Sequence, residues 1–181
     1  MVQTDRRMIL ALMAAFGVAP AARAAQGSDL HRTSDPAVLL AATRSLLAED
    51  RLCTFITIDA QGHPRARTVF LSAPDGDLTL WIGTRVGSRK LDQIAGHPQA
   101  TIHVSLDAQA SYASLSGQAH RVTDAALIER KNPYQGEMRA TYFPRYPDDF
   151  ALIAFRPEWL EVMTQELPGR RETWQPEGIR L

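Results

Sequence analysis

Hydrophobic positions in residues 34–58 change from helical to extended spacing. Ser34-Asp35-Pro36 places capping side chains before a proline at the first helical position, which is typical of a helix start. An apolar stripe with helical spacing follows, formed by Val38, Leu39, Ala42, Leu46 and Leu47. Residues 52–58 are rich in apolar and β-branched side chains and end at the turn Asp59-Ala-Gln-Gly62, which predicts a strand.

The rest of the pattern predicts short strands joined by tight turns. These predicted strands are residues 65–71, 78–83, 101–106, 112–122 with a bend at Gly117, 150–155 and 159–165. Short helices are predicted after Ser88, ending at Gly96-His97-Pro98, and from Asp124 to about Lys131. Residues 132–149 are predicted to form a loop. Meandering strands with few helices favour a mainly β fold with an antiparallel barrel over a parallel sheet.

Residues 78–94 combine a predicted strand, a loop containing Gly87 and the first turns of a helix. Ser88 is predicted to cap that helix, so that the unpaired N–H groups of its first turn face the loop and favour an anion. Arg89 and Lys90 lie in the same turn, where they oppose the helix dipole unless an anion such as phosphate is bound. Because Gly-Ser-Arg-Lys is not a specific motif, a solvated basic helix start is an equally weighted alternative.

The first 24 residues have the pattern of an export signal, which leaves residues 25–181 as the expected domain. A charged start with Arg6 and Arg7 precedes an apolar run at residues 8–19, and Ala22-Arg23-Ala24 offers small residues for signal peptidase. The arginine pair resembles a twin-arginine signal, and a general secretory signal is the alternative. Since the apolar run is too short to span a bilayer, we expect a periplasmic protein without a membrane anchor.

Composition and charge exclude several functions. With 181 residues, 45% of them apolar, the chain can bury one ordinary core, so a single domain is expected. Its 20 basic and 20 acidic residues balance, so no positive field indicates a nucleic-acid partner. Cys53 is predicted to be a buried structural thiol. No metal site is predicted, because His63, His97, His103 and His120 lack metal-ligand spacing.

Five short segments stand in a specific order along residues 52–165. They are Gly62-His-Pro-Arg-Ala-Arg-Thr-Val-Phe70, Leu80-Trp-Ile-Gly-Thr84, Gly87-Ser-Arg-Lys90, His97-Pro98 and Gly117-Gln-Ala119. Together they resemble the pyridoxamine 5′-phosphate oxidase-like superfamily of split barrels that bind flavin mononucleotide (FMN). The resemblance implies an antiparallel split β-barrel of six to seven strands with FMN as the cofactor. It also implies a homodimer whose FMN lies in clefts between the subunits.

The same resemblance assigns nine residues to the cofactor. They are Arg67, Thr68, Val69, Phe70, Gly83, Thr84, Ser88, Arg89 and Lys90. The three cations and the serine would hold the phosphate, since a dianion is bound best by several cations from different elements. The segment 68–70 would run beside the isoalloxazine ring, and the segment 83–84 would let the backbone approach the cofactor. Arg65 alternates onto the same strand face as Arg67 but is interpreted as a surface charge.

The chain departs from the vitamin B6-forming oxidases of this superfamily where those enzymes contact substrate and flavin. Ser72 stands in place of a lysine that binds substrate phosphate, and Glu172 replaces a histidine. Met163 and Trp174 replace a tryptophan and an arginine that contact flavin, whereas Arg170 is retained. Because charged hydrogen bonds to the substrate would be lost, we do not expect pyridoxamine phosphate oxidation.

Two functions follow from these observations. The leading hypothesis is a periplasmic FMN-dependent oxidoreductase of unknown substrate, in which the flavin supplies the chemistry and no catalytic acid or base is named. The alternative is a non-catalytic flavin-binding or flavin-sequestering protein of the general stress type. A relative that binds haem or the deazaflavin F420 in the same cleft is less favoured.

Overall fold

The computed structural model describes residues 35–48, 51–106, 111–164, 167 and 176–181. The predicted export signal at residues 1–24 and the predicted capping residue Ser34 lie outside these ranges. So do Arg170, Glu172 and Trp174, at which the sequence was compared with the B6-forming oxidases.

Strands dominate the described chain. In chain order the elements are α1 (Pro36–Leu47), β1 (Arg51–Ile58), β2 (Pro64–Leu71), β3 (Leu80–Arg85), α2 (Arg89–Gly96), β4 (Gln99–Leu106), β5 (Ser111–Arg121), α3 (Ala125–Lys131), α4 (Gly136–Tyr142), β6 (Phe150–Met163) and β7 (Glu177–Arg180). The predicted mainly β class is confirmed. None of the described helices is long and apolar enough to cross a membrane.

All seven strands belong to one antiparallel sheet, which has the order β2-β1-β4-β5-β6-β3, with β7 added beside β6. Its two end strands, β2 and β3, approach each other but are not hydrogen-bonded neighbours. The sheet therefore curls into a barrel that stays open along one seam. This arrangement confirms the predicted antiparallel split barrel.

Alternate residues of the strands fill the barrel. Along β5, burial alternates residue by residue from Ser111 to Ala119, as expected for a strand with one face on a core. Phe55 and Phe155 are fully buried in the centre, with ring centroids 6.5 Å apart in an edge-to-face arrangement.

Helix α1 packs against β5, β6 and β7 and adds its apolar face to the core. Asp35 occupies the N-cap and accepts a hydrogen bond from the backbone N–H of Ala37, while Pro36 begins the helix. The predicted stripe is wrong at Val38, whose side chain is 44% exposed. Thr43 is buried instead, and it lies about one helical turn from both Leu39 and Leu46. The buried face of α1 is therefore rotated around the helix axis relative to the predicted stripe.

A bulge joins two predicted strands into the single strand β6. The register of β5 and β6 shifts between Ser116 and Gly117, so Glu158 is the extra residue beside Pro157. A Cβ on Gly117 would lie 2.1 Å from the carbonyl oxygen of Arg156, so only glycine fits here. The predicted break between residues 155 and 159 is therefore wrong, since the bulge accommodates a proline without ending the strand.

A second apolar cluster lies on the other side of β3 and β6. Trp81, Phe143, Phe150 and Leu152 form its buried part, and side chains from α3 pack against it. Helix α4 corrects the prediction of a loop over residues 132–149. It is short, and no side chain caps its N-terminus, so the sequence carries only a weak signal for it.

Candidate functional site

A cavity of about 350 Å³ lies at the open seam between β2 and β3. Six of the nine residues assigned to the cofactor line it, namely Thr68, Val69, Phe70, Gly83, Thr84 and Lys90. Two strand ends and the first turn of α2 thus meet at one cleft. The other three, Arg67, Ser88 and Arg89, adjoin Lys90 in space or in sequence.

Lys90 is held at one end of the cleft by two hydroxyl groups. Its Nζ donates to Thr84 Oγ1 over 2.7 Å and to Ser88 Oγ over 2.8 Å. Thr84 comes from β3 and Ser88 from the N-cap of α2, so the ammonium group bridges two elements. The ammonium group is thus fixed in position before any ligand arrives.

Ser88 occupies the predicted N-cap position but does not cap the helix with its side chain. The hydroxyl oxygen accepts from Lys90 instead, and only the Ser88 carbonyl bonds to the helix, at the N–H of Leu91. The prediction of a side-chain cap is therefore wrong. The lysine competes for the same hydroxyl, and a charged donor makes the stronger hydrogen bond.

Arg67 reaches from β2 across β1 to α2. Its guanidinium donates to Thr57 Oγ1 over 2.6 Å, to the carbonyl oxygen of Phe55 over 3.3 Å and to Gln93 Oε1 over 2.8 Å. Thr57 also donates to the same oxygen of Gln93 over 2.6 Å. All three acceptors are neutral, so these hydrogen bonds position the arginine without neutralising its positive charge.

Three positive charges, those of Arg67, Arg89 and Lys90, concentrate at this end of the cleft. Burial lowers the pKa of Arg67, and the charge of Arg89 lowers it further. Burial also lowers the pKa of Lys90, with a smaller contribution from Arg67. Among the described residues, no carboxylate forms an ion pair with any of the three. The arrangement favours a bound anion, which would offset both the burial and the mutual repulsion.

Arg65 lies apart from this cluster. Its Nη2 is 2.6 Å from Asp59 Oδ2, and its Nε donates to the same oxygen over 2.7 Å. Backbone N–H groups of His63 and Gln61 also donate to Asp59, and these bonds hold the pKa of this carboxyl below its usual value. Arg65 therefore belongs to the β1–β2 turn, as its interpretation as a surface charge anticipated.

Gly83 lies on β3 where this strand borders the cleft. A Cβ at this position would lie 2.7 Å from ring atoms of both Tyr134 and Phe150. The space beside this glycine is therefore taken by aromatic rings, and its absent side chain lets Tyr134 enter the cleft.

An aromatic wall facing β2 was missed from the sequence. Tyr134 lies 5.5 Å from the Phe70 ring, 4.9 Å from Phe143 and 5.7 Å from Tyr142, measured between ring centroids. Burial and, to a smaller extent, Tyr142 raise the pKa of Tyr134, so its hydroxyl stays protonated at neutral pH. Met138 completes this wall. Met138 and Tyr142 stand four residues apart on α4, and this helical spacing is the signal that could have identified their part of the wall.

Positions that distinguish the chain from the B6-forming oxidases are only partly described. Ser72 follows β2 directly, and Met163 ends β6. Over the described ranges, no three His, Cys, Asp or Glu side chains are grouped so that they could hold a metal ion.

Several solved structures share this fold. A Clostridium acetobutylicum protein related to general stress protein 26 is 15% identical, with 82% of this chain and 97% of that chain covered and a TM-score of 0.66. A haem-binding protein from Mycobacterium smegmatis is 17% identical, with coverage of 82% and 59% and a TM-score of 0.58. A pyridoxamine 5′-phosphate oxidase-related, FMN-binding protein from Nostoc punctiforme is 20% identical, with coverage of 82% and 98% and a TM-score of 0.50.

These identities establish a common fold and not a common ligand. No curated protein sequence matches the chain significantly. A family model described as pyridoxamine 5′-phosphate oxidase matches residues 39–164, which include β1 to β6 and every residue of the candidate site. The chain therefore belongs to the pyridoxamine 5′-phosphate oxidase family.

Proposed function

We propose that the chain binds FMN in the cleft between β2 and β3, with its phosphate held by Arg67, Arg89 and Lys90. The observation that carries this proposal is the concentration of three cations at one end of the cleft without a described carboxylate partner. A phosphate monoester brings about two negative charges and three acceptor oxygens, which match this set of donors.

The donors of these residues suit a phosphate. Arg67 uses both N–H groups of Nη1 and one of Nη2 in its described hydrogen bonds, so the Nε–H and one further N–H stay available. Lys90 keeps one of its three donors, and the hydroxyl of Ser88 can donate to an oxygen while it accepts from the lysine. The N–H groups in the first turn of α2 add a favourable dipole.

The cleft also suits a flavin ring. Because β2 is an end strand of the sheet, its outer backbone groups beside Thr68 and Phe70 can meet the polar edge of a ring. Val69 and the wall around Tyr134 provide apolar surface that excludes water. When bound, FMN supplies reversible hydride chemistry, while the protein binds and orients it.

We further propose that the protein is an exported FMN-dependent oxidoreductase that acts in the periplasm. A non-catalytic flavin-binding protein of the general stress type is the second candidate. The relationship of the Clostridium acetobutylicum relative to general stress protein 26 keeps this alternative open. Haem is a third possible ligand of the cleft, since the Mycobacterium smegmatis relative binds haem.

Absorption spectra and ligand titrations of the purified protein test the cofactor. We expect a flavin spectrum, and we expect FMN to bind far more tightly than riboflavin, which has the same ring but no phosphate. Equal affinity for FMN and riboflavin would contradict the role of the cations, and a haem spectrum would replace FMN as the cofactor. Oxidation of NADH or NADPH by the FMN-loaded protein with ferricyanide as acceptor supports an oxidoreductase. Tightly bound FMN that neither donor reduces supports the non-catalytic candidate.

A further inference from the structure

Three side chains form a closed set of hydrogen bonds around the arginine of the proposed phosphate site. The Arg67 guanidinium donates to Thr57 Oγ1 over 2.6 Å and to Gln93 Oε1 over 2.8 Å. Thr57 Oγ1 in turn donates to the same oxygen of Gln93 over 2.6 Å. We call these three residues the Arg67 triangle. It joins β2, β1 and α2, so two further elements hold the arginine besides its own strand.

The direction of each hydrogen bond in the Arg67 triangle follows from the chemistry of its groups. A guanidinium can only donate, so both Thr57 and Gln93 accept from Arg67. The Thr57 hydroxyl has a single proton, which goes to Gln93, and the side-chain oxygen of Gln93 therefore accepts twice. Thr57 is fully buried, and these two bonds satisfy its hydroxyl both as donor and as acceptor. Gln93 must accordingly present its carbonyl oxygen to the arginine.

Gln93 is uncharged at a position where a carboxylate would make the same hydrogen bonds. A glutamate side chain has nearly the same length and shape, and its oxygen would accept from Arg67 and Thr57 equally well. It would also form an ion pair with Arg67, as Asp59 does with Arg65 on the same strand. The amide of Gln93 therefore holds the arginine in place without cancelling its charge.

The positive charge near the Arg67 triangle is costly as long as no anion is bound. Burial and the nearby charge of Arg89 lower the pKa of Arg67, and burial lowers the pKa of Lys90. Asp92, the neighbouring carboxylate on α2, is exposed and forms no described ion pair with these cations. A carboxylate inside the triangle would offset this cost within the protein, whereas a neutral acceptor leaves a bound anion to offset it.

We propose that Gln93 is a positioning residue that sets the preference of the cleft for a phosphorylated over an unphosphorylated flavin. It orients the Arg67 guanidinium through a neutral oxygen and so leaves the full positive charge to the phosphate group. This inference rests on the proposed function, because it assigns that phosphate to Arg67. It goes further by making the selectivity of the site depend on a residue that acts through the arginine.

Two substitutions in the full chain separate charge from positioning. Gln93→Glu keeps both hydrogen bonds and adds a negative charge, whereas Gln93→Met keeps the length of the side chain and removes the acceptor. Quenching of flavin fluorescence measures the FMN and riboflavin affinities of each variant. We expect Gln93→Glu to weaken FMN binding about 10- to 100-fold, and Gln93→Met to weaken it about 3- to 10-fold. Riboflavin has no phosphate, so its affinity should stay close to that of wild type in both variants.

The stability of the flavin-free protein is a second readout, which a merely structural role would move in the opposite direction. We expect the urea midpoint of Gln93→Glu to lie at or above that of wild type, because the new carboxylate offsets the repulsion among the three cations. Gln99→Glu is the matched control, since it makes the same change at an exposed residue at the start of β4. It should leave both FMN affinity and the urea midpoint unchanged.

The possible outcomes separate this inference from the proposed function. If wild-type protein binds FMN no more tightly than riboflavin, the proposed phosphate site itself fails. If wild type prefers FMN but Gln93→Glu binds it equally well, or Gln93→Met weakens FMN binding more than Gln93→Glu does, the inference about Gln93 alone is overturned. Equal losses of FMN and riboflavin affinity, or a lower urea midpoint of Gln93→Glu, would also overturn it, by showing that residue 93 only supports the fold.

Discussion

Arg65 and Arg67 stand two residues apart on β2 and have opposite electrostatic surroundings. Arg65 forms an ion pair with Asp59, which accounts for its charge within the turn. Arg67 is half-buried and bonds only to neutral oxygens in the described structure. An arginine with neutral partners still attracts an anion strongly, whereas the carboxylate of an ion pair largely cancels the electrostatic potential of its arginine.

The FMN affinities of alanine variants test whether this difference in surroundings matters for binding. We expect Arg67→Ala to weaken FMN binding by roughly 2 to 5 kcal/mol, since it removes a cation from a partly buried cluster that binds a dianion. Arg89→Ala should weaken binding in the same direction, and by less because Arg89 is exposed. Quenching of FMN fluorescence measures both affinities, with Arg65→Ala as the control that should bind like wild type. If neither Arg67→Ala nor Arg89→Ala changes FMN affinity, the start of α2 is a solvated basic helix start and not a phosphate site.

Individual residues differ in how well the sequence predicts them. Lys90 and Thr68 line the cleft, and the resemblance to the family could assign them to the cofactor because each lies in a short contiguous motif. The side-chain cap predicted for Ser88 is wrong because the nearby Lys90 takes its hydroxyl, and nothing in the sequence indicated that the rings of Tyr134 and Phe150 lie beside Gly83. Partners that are distant in sequence leave no periodic pattern.

Among the elements, β6 was wrongly predicted because of its proline. A proline usually indicates the end of a strand, since it cannot donate a ladder hydrogen bond. Strand β6 nevertheless continues through Pro157, because the bulge opposite Gly117 removes the need for that hydrogen bond. Strands β1 to β5 were predicted within a few residues because apolar positions and turn residues agree there. Helix α4 and strand β7 are too short to carry such agreement, and their stability comes from tertiary packing.

Gly117→Ala tests the bulge. The new Cβ would lie 2.1 Å from the carbonyl oxygen of Arg156, which is backbone and cannot turn away as a side chain could. We therefore expect the free energy of unfolding to fall by about 2 to 3 kcal/mol, as measured by urea denaturation. Gly76→Ala is the control, because a Cβ there meets no atom within 4 Å. Equal stability of the two variants would show that β5 and β6 can separate at the bulge without cost.

At the scale of the whole molecule, the open seam leaves unpaired strand edges and apolar surface. We expect a homodimer, because natural proteins cover such edges and symmetric pairing is the commonest way to do so. Sedimentation velocity at micromolar concentration measures this state. A monomer that binds FMN with undiminished affinity would contradict a cleft shared between subunits.

Export is a separate expectation for the whole chain. If residues 1–24 are removed, the intact mass of the periplasmic protein should correspond to a start near Ala25. Arg6→Lys combined with Arg7→Lys should block export if the signal is of the twin-arginine type. Normal export of this double variant would instead favour a general secretory signal, and a soluble cytoplasmic product that keeps its amino terminus would rule out both.

The missing ladder between β2 and β3 also gives the fold a freedom that a closed barrel lacks. No backbone hydrogen bond joins these two strands, so the side chains between them contribute directly to the width of the gap. Exchanging those side chains can widen or narrow the gap while every ladder of the sheet stays intact. The FMN-binding relative from Nostoc punctiforme and the haem-binding relative from Mycobacterium smegmatis share this fold. In such a fold, substitutions in the gap can change which ligand is bound while the hydrogen-bonded sheet keeps its stability.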